Sequence, residues 1–384
     1  MRVVYWIALG FLFLFQGCRT PFDPEIPARN NSLLVVEGYL DTEGKKSELK
    51  LSKTVSLGSE TTFSPEVNAS VQLVSSNGQT FGLEETAPGT YIFESDIEES
   101  NTYILEIILR NGDRFQSESL QPIITPEILD IGFQKDEEGV EVFISTKGDD
   151  NADDFLWTYE EAWIYRPRIR VPYIYDERIR DVRDRSDEEQ IALCFKRERS
   201  PDILLETSSR FQEQVVFKKT ITEIPTGNER IMERYSILVS QKAIEQDAVK
   251  FWEILKKNTE DIGSIFSPLP SLIGGNVYSV DDQSIPVIGQ VSLGVVRERR
   301  IYINLTDVSP WGYLDPQFNN CIIEQEAVLK EFYDPIFTNP EVLPARPLIP
   351  PGGTVILGYF ATDKRCADCT LYASRVKPDF WEDE

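Results

Sequence analysis

Alternation of apolar and polar residues over short runs limits this chain's possible folds more than any other feature. Val67, Ala69, Val71 and Leu73 alternate with Asn68, Ser70 and Gln72 before Asn77-Gly78, and Tyr103, Leu105, Ile107 and Leu109 do the same before Asn111-Gly112. A period of two puts every second side chain on one face of a strand, and Asn-Gly supplies the positive φ of a tight hairpin turn. Between these runs APGTYIF, from Ala87, reads as a turn feeding another strand. Roughly seven short strands over about ninety residues, with no amphipathic helix, predict an immunoglobulin-like or transthyretin-like β-sandwich. This first domain is expected over residues 32–121.

Pro122 and Pro126 in QPIITPEI read as an extended linker to a larger β-rich domain with one packed α-helix, over residues 122–384. Strand patterns resume at Val140, Val142 and Ile144, continue from Phe155 to Tyr165, and return at Val215–Phe217 and Tyr235–Val239. Ser240 is a good N-cap residue, and Ile244, Ala248, Phe251, Trp252 and Leu255 then fall on one helical face. A helix near 241–258 is expected, with Asn258 and Gly263 placed to stop it. The Pro-rich LPARPLIPPGG, from Leu343, reads as a connector to the last strand. The fold class is therefore mainly β.

The chain contains no histidine. Ser-His-Asp and Cys-His nucleophiles, HExxH zinc sites and other imidazole-based acid/base schemes are excluded. Hydrolysis by a carboxylate pair survives, because glycoside cleavage needs only two acids at a set separation. A formal net charge of −25 excludes nucleic acid as a general partner, since phosphate neutralisation needs a basic surface. The sequence implies no cofactor and leaves any ligand unidentified. Asp149, Asn151, Asp153 and Glu160 have the spacing of a calcium loop, but Asp154 occupies the position where that loop requires Gly. The reading preferred there is a solvated acidic turn.

Cys194, Cys321, Cys366 and Cys369 form an even set, which in an exported protein reads as two disulfides. Three pairings are possible. The CADC of Cys366 to Cys369 follows the strand-like TVILGYFAT and not a helix-opening βαβ turn, so it does not read as a redox dithiol. Zinc would need a second close pair, and Cys194 and Cys321 stand alone. The favoured arrangement has each CADC cysteine reaching back to a distant partner, stapling the C-terminal tail to the body.

At the other end, Arg2 precedes an apolar run from Val3 to Phe15. A run of about thirteen residues is short of the ~20 that span a bilayer, and matches a removable signal over residues 1–17. Gly17-Cys18 resembles the cleavage site of a bacterial lipoprotein, with Phe15 and Gln16 in place of the usual Leu and small residue. The expectation is that Cys18 carries the lipid and that residues 18–31, polar and Pro-broken with Asp23 and Glu25, form a tether. The membrane is thus one partner.

RPRIRVPYIYDERIRDVRDR, from Arg166, holds seven arginines in an otherwise acidic chain. It reads either as a long hairpin laced with salt bridges or as a docking surface for an acidic partner or lipid headgroups. In the docking reading, charge reversal at Arg178, Arg180 and Arg183 should weaken a complex and leave folding intact.

Together with the lipoprotein-type start, the segments LLVVEGYL, FLWTYEEAW, FWEILKK leading to GSIFSPLPSLIGGNVYS, and the terminal CADCT with KPDFW resemble an uncharacterised family of Bacteroidota lipoproteins, a domain of unknown function. The resemblance implies context and carries over no catalytic residue: such proteins are often encoded beside TonB-dependent outer-membrane transporters. The expected function is a non-catalytic binding or accessory subunit of an uptake system, lipid-anchored in the outer membrane and facing the exterior. The alternatives are a carboxylate-dependent glycan hydrolase and an adhesin or structural surface lipoprotein.

Overall fold

The computed structural model describes residues 32–55, 64–260, 274–313 and 318–383. The signal segment, Cys18, the tether and Gly263 lie outside the described residues. The N-terminal alternation forms β1 (Leu34–Asp41), β2 (Ser47–Lys53), β3 (Ser64–Pro65), β4 (Ser70–Ser75), β5 (Thr80–Ala87), β6 (Thr90–Phe93), β7 (Tyr103–Ile108) and β8 (Arg114–Ser117). No helix interrupts them among the described residues, as the pattern predicts. Asn77-Gly78 turns β4 into β5, with Gly78 at φ 89°, and Asn111-Gly112 turns β7 into β8, with Gly112 at φ 94°.

These strands are joined by β18 (Val277–Ser279) and β19 (Ile288–Gly294) in one ten-stranded sheet, ordered β18-β8-β7-β4-β5-β6-β2-β1-β19, with β3 beside β2. Strand β5 pairs with β4 through Thr80–Leu83 and with β6 through Glu84–Ala87, and so turns the corner between two halves of the sheet. Its two ends nearly meet, giving a barrel-like sheet. Gly275 and Gly289 bridge across the seam, and the Asn276 side chain donates to Val291 O at 2.7 Å and accepts from Val291 N at 2.9 Å. A Cβ on Gly275 would lie 1.6 Å from Gly289 O, so the seam closes only on bare backbone. Val277, Val287, Val291 and Leu293 are buried with Leu40, Leu73 and Leu105 in one core. The boundary expected at 121/122 therefore divides a barrel that is completed some 160 residues later. The reason is that β1 offers an open edge, which β19 fills in parallel, Val35 against Ile288 to Asp41 against Gly294.

The second unit is a sandwich. One layer holds β9 (Ile128–Lys135), β10 (Gly139–Lys147) and β16 (Val215–Pro225). The other holds β11 (Asp154–Tyr165), β14 (Cys194–Arg199), β15 (Leu204–Thr207), β17 (Arg234–Ala243) and β20 (Val296–Asn304). Their facing residues, among them Trp157, Trp163, Tyr235, Val142 and Ile144, make the largest aromatic core. Helix α1 spans Gln246–Glu260, later than expected, because Ser240 does not cap it. Ser240 instead continues the alternation of β17, opposite Thr158 on β11 and Glu298 on β20. The predicted apolar face packs as expected, with Ile244, Ala248 and Phe251 buried and Ile244 and Ala248 against Leu156. No helix among the described residues is long and apolar enough to cross a membrane.

Barrel and sandwich are tied at one buried carboxylate. Asp41, 1% exposed at the end of β1, accepts from Glu43 N at 2.9 Å and Lys45 N at 3.0 Å through Oδ1, and from Val296 N at 2.8 Å through Oδ2. The Tyr39 hydroxyl donates to Ala243 O at 3.1 Å, joining β1 to the end of β17. Only Val295, fully buried, separates β19 in the barrel from β20 in the sandwich. Replacing Asp41 by Ala orphans three backbone N–H groups, two of them across a turn and one across the domain junction. Asp41→Ala is expected to lower stability by on the order of 3 kcal/mol, and to split urea unfolding into two transitions that tryptophan fluorescence and far-ultraviolet dichroism report at different midpoints.

Candidate functional site

The arginine-rich stretch forms a hairpin, β12 (Tyr173–Asp176) and β13 (Asp181–Asp184), as one of the two sequence readings has it. Its three singled-out arginines all have carboxylate partners within the chain. Arg178 pairs with Asp176 at 2.9 Å, Arg183 with the same Asp176 at 2.9 Å and with Glu189 at 2.7 Å, and Arg180 with Asp334 at 2.6 Å. The side chains of Arg178 and Arg180 remain 83% and 73% exposed, whereas that of Arg183 is 32% exposed. Charge reversal at Arg183 therefore cannot be separated from folding, since it would set three negative charges together. Arg178 and Arg180 can still meet a partner.

The hairpin packs on a small C-terminal sheet of β21 (Ala327–Leu329), β22 (Val342–Leu348) and β23 (Gly358–Asp363). Tyr173 and Tyr359 meet edge to face at 5.0 Å, and Asp334 receives the Tyr175 hydroxyl at 2.8 Å. Two disulfides fix this module, Cys194 to Cys369 and Cys321 to Cys366. Each CADC cysteine thus reaches a distant partner, closing sequence separations of 175 and 45 residues. Such links are each typically worth ~2–5 kcal/mol. Beyond them the tail lies along β14, with Phe195 and Ser374 exchanging backbone hydrogen bonds and the Trp381 ring 5.2 Å from Phe195. KPDFW is therefore a packing element.

At the far edge of the module the chain leaves apolar groups in water. Val355, Ile356 and Leu357, in the turn between β22 and β23, are 67%, 42% and 47% exposed. Leu329 pairs with Gly358 beside them and lines a groove of 570 Å³ with Phe332, Ile336 and Val342. Gly352 at φ 75° and Pro350 form the tight part of the turn, which presents the apolar residues at its rim.

The acidic turn folds on itself. Asp149 Oδ1 accepts from Asn151 N at 2.8 Å and Ala152 N at 3.0 Å, and β11 begins at Asp154. Six residues along an extended strand carry Glu160 about 20 Å away, where it pairs with Arg199 at 2.8 Å. The calcium spacing does not become a calcium loop, and no group of His, Cys, Asp or Glu among the described residues is arranged to hold a metal ion.

A cavity of 1110 Å³ opens between this turn, the Pro122–Pro126 linker and the start of α1. Asp154 and Glu245 line it, and burial raises the pKa of each above the ordinary carboxylate range. The Thr207 hydroxyl, bonded to Asp154, partly offsets that rise. No aromatic side chain among the described residues lines the cavity, so it has acids but no ring on which a sugar would stack. Sequence reasoning missed this pairing because Asp154 reads as strand and Glu245 as helix, far apart along the chain.

With the geometry in hand, comparison with known proteins adds one assignment. A family model described as a domain of unknown function, DUF4249, matches residues 19–300. The chain belongs to the DUF4249 family. The DUF4249 match takes in the barrel and most of the sandwich but not β21, β22, β23 or the CADC cysteines. No curated protein matches the sequence. Among solved structures the chain is similar to a DUF4785 family protein from Legionella pneumophila, with 8% identity, a TM-score of 0.17 and 54% of this chain covered. It spans about half the length of that protein, 50%, and so low a score carries no argument about fold.

The ion pairs of the hairpin make its acid response specific. Arg178 and then Arg183 hold the Asp176 carboxyl well below the usual range, and Arg183 with the Ser186 N–H holds Glu189 down to about 2. A depressed carboxylate stabilises the fold above its unfolded pKa, roughly 4, and that stabilisation is lost as pH falls through the folded value. Hydrogen exchange should find the amides of residues 173–184 as protected at pH 5 as at pH 7, and exposed near pH 2 while the barrel amides remain protected.

Proposed function

We propose that this DUF4249 protein is a lipid-anchored, non-catalytic binding or accessory subunit of a TonB-dependent uptake system in the outer membrane, facing the exterior. Its N-terminal unit is read as an immunoglobulin-like sandwich whose two faces join at β5. One observation carries the docking part of the reading: the disulfide-fixed module presents an exposed apolar rim, Val355 to Leu357 with Leu329 and Phe332, and its hairpin presents the exposed Arg178 and Arg180. Contiguous exposed apolar surface with charged neighbours is the usual composition of a protein contact site.

The two acids Asp154 and Glu245 in one cavity, although no described aromatic residue lines it, are the observation on which a second reading rests, hydrolysis of a glycan by two acids. Turnover of surface polysaccharides that disappears in Asp154→Asn, with the fold retained, would favour it over the first.

The principal reading is tested in native membranes. Cys18→Ser is expected to shift the protein from the detergent phase to the aqueous phase. The wild-type chain should recover an outer-membrane transporter on affinity purification, and Val355→Asp with Ile356→Asp should lower that recovery about tenfold or more while both disulfides form. Recovery of no transporter by the wild type would sink the accessory role, whatever the location of the anchor.

A further inference from the structure

A cleft of 510 Å³ lies between the barrel and the outer face of the sandwich sheet. One wall comes from β1, β2 and the turn between them, with Tyr39, Glu48 and the turn residue Lys46, and the other from β11, β17 and β20, with Thr158, Ser240, Lys242 and Glu298. Trp252 of α1 also lines it. The volume falls within the range of small-ligand sites, and domain junctions are a preferred place for them. Both walls are held by the Asp41 and Tyr39 hydrogen bonds, so the cleft exists before anything enters it.

Its floor follows from the strand register. Thr158, Ser240 and Glu298 stand side by side across three strands, and Lys242 lies two residues further along β17 on the same face. Ser240 donates to Glu298 at 2.7 Å, and Glu160 is held by Arg199. Lys242 is the exception. Its Nζ sits 3.4 Å from Thr158 Oγ1 and 5.7 Å from the centre of the Tyr39 ring, and no described carboxylate lies within 4.0 Å of it. Burial pushes its pKa down, and the Glu298 and Glu160 carboxylates, both beyond ion-pair distance, offset that only in part. Lys46, on the opposite wall, likewise has no described carboxylate within 4.0 Å. In a chain of formal charge −25, an unpaired ammonium inside a cleft is costly unless something completes it.

We propose that this cleft binds a carboxylate-bearing oligosaccharide, with the ligand's carboxylate on Lys242, its hydroxyls on Thr158, Ser240 and Glu298, and a sugar face on Trp252. Charged and hydroxyl groups in a row, with an aromatic ring lining the same cleft, suit a ligand rich in hydroxyls, and an ammonium without an ion-pair partner selects an acid over a neutral sugar. The site stands apart from the docking rim, so this inference does not depend on any transporter being recovered.

The test is calorimetric titration of the full chain in detergent with oligogalacturonates, oligomannuronates and glucuronate-containing trisaccharides, against maltotriose and cellotriose. At least one uronate oligomer should bind, and the neutral sugars at least about tenfold more weakly. Lys242→Met should remove the preference without lowering the melting temperature, because the lysine has no ion pair to lose. If that variant fails to fold, Lys46→Ser, at an exposed position on the same cleft, should weaken uronate binding severalfold. Binding of none of the uronates, equal binding of the neutral sugars, or a preference that survives Lys242→Met in a folded protein would each overturn the assignment.

Discussion

Three backbone N–H groups converging on the Asp41 carboxylate hold the architecture together. Val295 alone separates the barrel strand β19 from the sandwich strand β20, and such a junction would ordinarily hinge. A fully buried carboxylate accepting from both sides removes that freedom, because opening the junction would strand a charge and its donors in an apolar setting. Gly294 shows how tight the contact is: a Cβ there would lie 2.3 Å from Ile123 O and 2.6 Å from the Tyr39 hydroxyl. The cleft lined by Lys242 and the alignment of the two cores both follow from this joint.

A similar economy of polar groups runs through the sandwich. Gln241, fully buried on β17, accepts from the Trp157 indole at 3.0 Å and donates to Pro126 O at 2.8 Å and Thr146 Oγ1 at 3.0 Å. One amide therefore binds the linker, both layers and the largest aromatic cluster. Glu161 is the costlier case, since burial raises its pKa even with the Tyr235 hydroxyl at 2.6 Å and Arg230 at 3.3 Å. It is buried beside Trp163 and Tyr235, which suits a core constraint.

Much of this was legible in residue order, for definite reasons. Period-two runs and Asn-Gly turns report strands and hairpins locally, so β4, β5, β7 and β8 could be read directly. Spacing also gave the helical face of Ile244, Ala248 and Phe251, while Ser240 misled because a strand residue facing a cleft has the same chemistry as an N-cap. Long-range pairing left no local mark. Nothing in Val277 to Gly294 announces that it closes a barrel begun at Leu34, and the open edge of β1 could be seen only in three dimensions. The arginines were conspicuous in sequence, but their carboxylate partners Asp334 and Glu189 were not, and the unpaired Lys242 passed as one polar residue in an alternating strand.

The parallel pairing of β1 with β19 also sets an order of events. Val35 waits for Ile288, so the first strand made must remain without its final neighbour until most of the polypeptide exists. At ribosomal speeds of about 5–20 residues per second that interval is roughly 13–50 s, long compared with hairpin formation. Early hairpins can form and dissolve, but the closed barrel cannot trap the nascent chain, which stays threadable until about its last quarter is made.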